Sequence, residues 1–324
     1  GQKLGRTELA ARIDGVAAAV ETLAGAVGEA GLRAERERLD GLRQAPAFWR
    51  DTAAGAAVVD ELDRVAGTLE RVASLRARAE ALAEVAPKAQ LRREVQDAAH
   101  RVVQLEDALE VARRELCTMP PAGREDALVE VRPLGAAGRA ARDLLVETYL
   151  AWAKEGRRAR VEWLREPLED DEPAMFAVQG RFASGYLAGE SGLHRVRRGE
   201  AHSTAEVRVA PWSERAAQVA FGPHRALKSA GQYGGKIRSR VELTDGLVLQ
   251  NARTLAENRE LAAEIAGSWR VAAPAPDDIT RRYDFDPFLL RDALTDTSTG
   301  RPDALSPARF HDLLCRRVDV RGQS

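Results

Sequence analysis

Leu91, Val95, Ala98, Val102, Leu105, Leu109, Ala112 and Leu116 follow one another at alternating steps of four and three residues, without a slip. This period lays the apolar side chains along one stripe of an α-helix, whereas a half-buried strand alternates every second residue. The stretch is therefore committed to helix, and its stripe needs a second helix to cover it. A partner lies just upstream. Leu62, Val65, Leu69, Val72, Ala79 and Leu82 share one face of a helix reading from Val58 to Val85, and Pro87 separates the two. We expect a long antiparallel helical hairpin, packed within the chain rather than against another copy. Residues 8–44 also read as helix. Pro46 ends it, with Phe48 and Trp49 as anchors of the break.

The texture changes after the linker Thr118-Met-Pro-Pro-Ala-Gly123. Leu128 to Arg132 alternates like a strand, and Arg139 to Glu155 reads as an amphipathic helix with Leu145, Tyr149 and Trp152 inward. Arg158 to Glu166, Ala174 to Gly180, and the regions of Val207 and Val219 read as strands. Asp245-Gly246 between alternating runs signals a hairpin. Thr254 to Val271 reads as a closing helix, and the Pro-broken tail from Pro274 carries a short helix near Pro307 to Arg317. Strands and helices mix without regular βαβ alternation, so the class is α+β, a helical N-terminal hairpin or bundle followed by a mixed core. We divide the chain into a helical domain, 1–117, an α+β domain, 118–215, a further domain, 216–272, and a tail, 273–324, that returns to the core.

Net charge is −1 over 324 residues, so no global field draws the chain to a polyanion. The charge is segregated, however: residues 181–240 carry eleven Arg or Lys against four Glu and no Asp. Arg greatly outnumbers Lys and Ala is abundant throughout, a compositional bias that lowers the weight of any single Arg. Cys117 and Cys315 are far apart and lack metal-ligand spacing, so free thiols in a reducing compartment are expected. The five His do not cluster with Cys or carboxylates, so neither a metal nor another cofactor is expected. No apolar run approaches a membrane span or a signal-peptide core, and a cytoplasmic protein is expected.

The stretch from Gly222 to Lys236 is rich in small residues and reads as a loop. Its glycines suit a backbone that presses against another molecule, and Arg225, Lys228, Lys236, Arg238 and Arg240 suggest that this molecule is a polyanion. The other reading is a long mobile hairpin connection. No Ser-His-Asp set, phosphate loop or paired metal ligands compete as a site.

Ala230-Gly231-Gln232, with Lys236 four residues on, resembles the Gly-Gly-Gln loop of class-I peptide chain release factors. Other segments match in order. Phe48-Trp49 with Asp51 is similar to that family's Phe-Trp-Asp segment, and Gly135-Ala-Ala-Gly138 to its Gly-Ala-Gly-Gly turn. Gly185-Tyr-Leu187 with Glu190-Ser-Gly-Leu-His-Arg195 is close to its Gly-Tyr-Leu…Gly-Val-His-Arg signature, and Gln250-Asn251 to its Gln-Asn-Glu-Arg. The tail resembles it at Ile279-Thr-Arg-Arg-Tyr283 and around Thr299-Gly300. The resemblance is to type-2 factors and spans roughly the whole chain.

The resemblance implies partners, the ribosome and peptidyl-tRNA, and a chemistry. Water attacks the ester of peptidyl-tRNA, the Gln232 backbone N–H stabilises the developing charge, and Gly231 and Ala230 shape the loop. RNA would be met by Arg195, Arg197, Arg198 and His202, and by the basic residues beside Gln232. Two departures stand out. The stop-codon-reading tripeptide should lie between Arg198 and His202, where only Gly199-Glu200-Ala201 is present. Ala230 replaces the first Gly, and if that position needs the left-handed region Ala costs roughly 1–2 kcal/mol there. Three functions remain open at this point: codon-independent release with impaired hydrolysis, a silent paralogue regulating the ribosome or another RNA, and a non-ribosomal tRNA-dependent helper.

Overall fold

The structure is a computed structural model that describes residues 6–45, 48, 52–88, 91–135, 137–212, 217–271 and 278–322. It divides into two compact units, Gly1–Thr118 and Met119–Ser324. The first is helical. Helices α1 (Arg6–Ala26), α2 (Glu29–Gln44), α3 (Thr52–Val85) and α4 (Arg92–Arg113) pack through α1, α3 and α4, with α2 against α3. Val65, Val72 and Leu82 of α3 are buried, as are Ala98, Val102, Leu105 and Ala112 of α4. The stripe is thus covered inside the chain, with α1 as a third partner that the hairpin reading lacked. Residues 8–44 are two helices rather than one. Gly28 sits at φ 70°, a left-handed position that glycine takes without a Cβ clash, and there the chain turns. The expected break at 45–51 lies largely outside the described residues.

The second unit is built on β1 (Asp126–Pro133), α5 (Arg139–Ala151), β2 (Arg160–Arg165), β3 (Ala174–Gln179) and the short α6 (Ala183–Leu187). There follow β4 (Gly192–Arg198), β5 (Ala201–Trp212), β6 (Phe221–Ala230), β7 (Lys236–Leu243), β8 (Val248–Asn251) and α7 (Leu255–Val271). The tail adds β9 (Ile279–Phe285), β10 (Phe288–Asp292), β11 (Thr297–Thr299) and α8 (Pro307–Arg321). Among the described residues the strands form one sheet in the order β11-β10-β9-β4-β5-β1-β3-β2-β8-β7-β6. Residues from all three segments drawn after 118 therefore contribute to a single sheet. Its pairs are antiparallel except β4–β9 and β2–β8. β3 buries Ala174 to Val178 without alternation, as a strand covered on both faces must. β7 alternates instead. Ile237, Ser239, Val241 and Leu243 face the helix side, where α7 adds Leu261, Ile265 and Trp269 to the core.

The tail is not a loose extension. Arg281 on β9 and Arg317 on α8 are fully buried and paired with Glu190 and Asp292. Arg281 donates to Glu190 Oε1 and Oε2 at 2.9 and 3.0 Å and to Asp292 Oδ2 at 2.8 Å. Arg317 Nε reaches Asp292 Oδ2 at 2.6 Å, and the Tyr149 hydroxyl donates to Glu190 at 3.0 Å. Buried charges of this kind are tolerable only when the whole set is mutually satisfied. Burial alone would lift the Asp292 carboxyl, but Arg281 and Arg317 overrule it and hold it down to about 2. His194 completes the cluster. Its Nε2 faces the Glu190 carbonyl at 2.8 Å, and a carbonyl only accepts, so Nε2 carries the ring proton and Nδ1 accepts from the Tyr283 hydroxyl at 3.1 Å. Glu190 and His194 of the Gly-Tyr-Leu…His-Arg segment thus act as structural members of the core.

Burial, with the two arginines nearby, depresses the His194 imidazole from 6.5 to about 4. The unfolded chain binds this proton below about pH 6.5 and the folded chain does not, so acid favours unfolding across that interval. Urea denaturation should show stability falling between pH 6.5 and 4 by on the order of 3 kcal/mol from this group. His194→Gln should lose most of that decline.

Candidate functional site

The glycine-rich stretch read as a loop is mostly strand. β6 runs through it to Ala230, which pairs with Lys236, and the turn is only Gly231 to Gly235. β6 is the last strand of the sheet and is bulged twice against β7, between Phe221 and His224 and between Ala226 and Ser229. Pro223, which has no N–H to give a ladder, falls in the first bulge. Edge position and bulges let a sequence of small and basic residues remain strand while most of its side chains are exposed.

The turn is folded down onto the body of the unit. Its N–H groups at Tyr233 and Gly235 both donate to Glu166 Oε1, at 3.0 and 2.9 Å, and Gln232 N–H donates to the Pro167 carbonyl at 3.0 Å. Glu166 is almost completely buried. Its carboxylate lies against the bare Cα atoms of Gly231 and Gly235, where any Cβ would overlap it. These two glycines are therefore explained by an internal carboxylate, before any RNA is considered.

The Gln232 side chain is equally committed. Arg142, fully buried, donates through Nη2 to Gln232 Oε1. Gln232 Nε2 donates to Asp170 Oδ1 at 2.9 Å and to the Leu168 carbonyl at 3.3 Å. Arg142 is itself fixed by the carbonyls of Glu169, Asp170 and Glu172 and by Asp143. Next to it the Tyr233 ring stacks on Trp163, with centroids 5.1 Å apart, and its hydroxyl donates to Asp143 at 2.7 Å. Burial, and then that carboxylate, push the Tyr233 hydroxyl well up. The Arg139 guanidinium, followed by Gln232, holds Asp170 below the usual carboxylate range. Burial would raise Glu172, but the Leu168 N–H, Arg165, Arg240 and Gln250 hold it down to about 2.

Ala230 needs a correction. Positive φ among the described non-glycine residues occurs at Arg158, Phe182 and Asp296, and Ala230 is instead an ordinary strand residue. The strain expected there is absent.

At the other candidate end, β4 and β5 pair up to Arg198 opposite Ala201, so Gly199 and Glu200 alone make the turn. Gly199 takes φ 56°, as a two-residue hairpin turn requires at its first position. Its N–H donates to Asp286 at 3.0 Å. Arg197 pairs with Asp284 at 2.8 Å, and Arg198 lies over the Phe285 ring at 4.7 Å, both on β9. Arg195 and His202 are exposed. On the Gln232 hairpin, Arg225, Lys228, Lys236 and Arg238 are exposed, whereas Arg240 is bound to Glu172 and Gln250. The basic candidates thus occupy two hairpins, and of those on the Gln232 hairpin Arg240 is spent inside the protein. Sequence reasoning missed Glu166, Arg142, Asp143 and Asp170. The one local signal was the acidic run 166–172, which holds Glu166 and Asp170 but not Arg142 or Asp143.

Comparison with known proteins places this fold. Residues 32–208, more than half of the chain, match the PCRF domain. The chain belongs to the class-I peptide chain release factor family. It is 28% identical to peptide chain release factor 2 of Salinispora tropica, over 85% of this chain and 86% of that protein. Peptide chain release factor 2 of Thermomicrobium roseum is 31% identical, over 72% of this chain and 69% of its own. The fold is similar to that of RF2 of Thermus thermophilus, with a TM-score of 0.57 and 20% identity, covering 94% of this chain and 99% of that one.

With no left-handed strain to relieve, Ala230→Gly should lower stability by about 0.5–1 kcal/mol, the usual cost of glycine within a strand. Urea titration of the two proteins checks this, and a stabilised variant would mean that the strand assignment is wrong.

Proposed function

We propose that this chain is a release-factor-family protein of the cytoplasm that binds the ribosomal A site and acts on peptidyl-tRNA without reading a stop codon. The observation that carries this reading is the Gly199–Glu200 turn. Strand pairing continues to Arg198 and Ala201, so no loop is left to project a codon-reading tripeptide. The carboxylate of Glu200 also stands at the tip, where a phosphate backbone would be repelled. RNA contact falls instead to the exposed residues Arg225, Lys228, Lys236 and Arg238, with Arg195, Arg197, Arg198 and His202 on the second hairpin.

The chemistry on this reading is ester hydrolysis by water. Gln232 supplies a backbone N–H to the oxygen on which charge develops and a side-chain amide to place the water, with Gly231 leaving the approach open. Hydrolysis is attenuated in the folded state described above, because the N–H is given to the Pro167 carbonyl. That same bond favours a second reading, a silent paralogue that occupies the ribosome or another RNA and regulates it.

Ribosomes programmed with a stop or a sense codon in the A site provide the test. Binding and formylmethionine release should agree within about three-fold between them, and a ten-fold preference for UGA or UAA would contradict the proposal. Replacing Arg225, Lys228 and Lys236 together with Ala should weaken binding and flatten its salt dependence, by about one unit of slope for each phosphate no longer neutralised. Unchanged affinity and slope would place these residues away from RNA.

A further inference from the structure

We propose that the Gly231–Gly235 turn is an autoinhibitory latch: closed, it withholds Gln232 from any outside ester, and opened, it frees both the backbone N–H and the side-chain amide. The inference rests on the reading of Gln232 given above and concerns its regulation.

Three observations lead to it. First, every polar group of Gln232 named above has an internal partner: the N–H has Pro167, Oε1 has Arg142, and Nε2 has Asp170 and Leu168. A donor so engaged cannot also serve a transition state. Second, the bonds that close the turn are polar. Of its residues only Tyr233 packs a ring, against Trp163, while Gly234 is exposed, as is Asp170, the partner of Gln232. The turn can therefore lift without uncovering the core, which lies at Ile237, Val241 and Leu243 farther along β7. Third, the closing groups are arranged as a matched set. Arg139 bridges Asp143 and Asp170, at 3.2 and 2.6 Å, and these two carboxylates are the acceptors for the Tyr233 hydroxyl and for Gln232 Nε2. Asp170 is among the more exposed members, so the latch has a weak point accessible from solvent. A turn held shut in this way has two discrete arrangements, and whatever binds the open one better shifts the balance toward it.

The test uses the full chain and the double variant Asp170→Ala/Tyr233→Phe, which removes two closing bonds yet keeps an aromatic cleavage site and the core. Glu166→Ala is a second variant that removes the anchor itself. If its buried position prevents folding, the double variant decides alone. Limited chymotrypsin digestion reports opening as cleavage after residue 233, read by fragment mass. Formylmethionine release from ribosomes carrying formylmethionyl-tRNA in the P site reports function. The wild type should resist cleavage, and the double variant should be cut after 233 at least ten-fold faster, with release rising at least ten-fold. Equal cleavage of the two proteins overturns the latch. Faster cleavage with unchanged release on ribosome-bound protein overturns its autoinhibitory role. Should neither protein bind ribosomes, the proposed function fails, and the cleavage ratio decides the latch by itself.

Discussion

One carboxylate, that of Glu166, stands where the hairpin strands β6, β7 and β8 meet the rest of the sheet. The seam there is thin: β2 and β8 share a single paired position, Arg165 with Gln250. Around it the backbone of Glu166 gives its N–H to the Gln250 carbonyl, and Gln250 Nε2 returns a bond to the Glu166 carbonyl at 2.9 Å. Asn251 Nδ2 holds the Leu164 carbonyl, and Glu172 ties Arg165 to Arg240. The side chain of the same Glu166 then holds the turn through Tyr233 and Gly235. A buried carboxylate without such donors would be costly, so the turn's amides and the anchor stabilise each other. Glu166 thereby couples the sheet seam to the turn that carries Gln232.

Seen from this seam, both ends of the molecule that the family would turn toward RNA are drawn inward. The β4–β5 hairpin is held to β9 by Asp284, Phe285 and Asp286, and the Gln232 turn is held to 166–170. The family scaffold beneath them is intact. The buried set of Glu190, Asp292, Arg281 and Arg317 fastens the tail to β4, so the β4–β5 hairpin rests on a rigid base. A rigid support thus lies beneath two tips that are closed by internal bonds.

Much of the fold was legible in the sequence because its signals are periodic. The heptad stripe of α4, the Asp245-Gly246 turn and the alternation along β7 each depend on neighbours close in sequence, and each emerged as an element. The stretch 222–236 was misread because glycine and proline are turn residues locally, while pairing with β7, a tertiary partner, makes the segment a strand. The residues that fasten the tail were not legible for a related reason. Arg281, Asp292 and Arg317 look like surface charges in a polar run, and only their convergence with Glu190 buries them. At the candidate site Gln232 and its glycines stood out, whereas the residues that hold them did not. Glu166 and Arg142 lie 66 and 90 positions away from Gln232 along the chain, and nothing local marks them as its neighbours.

Native-state amide hydrogen exchange of the free protein addresses the central claim most directly. If the turn is closed by internal bonds, the amides of Gln232, Tyr233 and Gly235 will exchange far more slowly than unprotected peptide amides, and Glu166→Gln will speed all three together. Exchange of the Gln232 amide at the rate of an unprotected peptide would contradict the account, since the donor would then be free in solution.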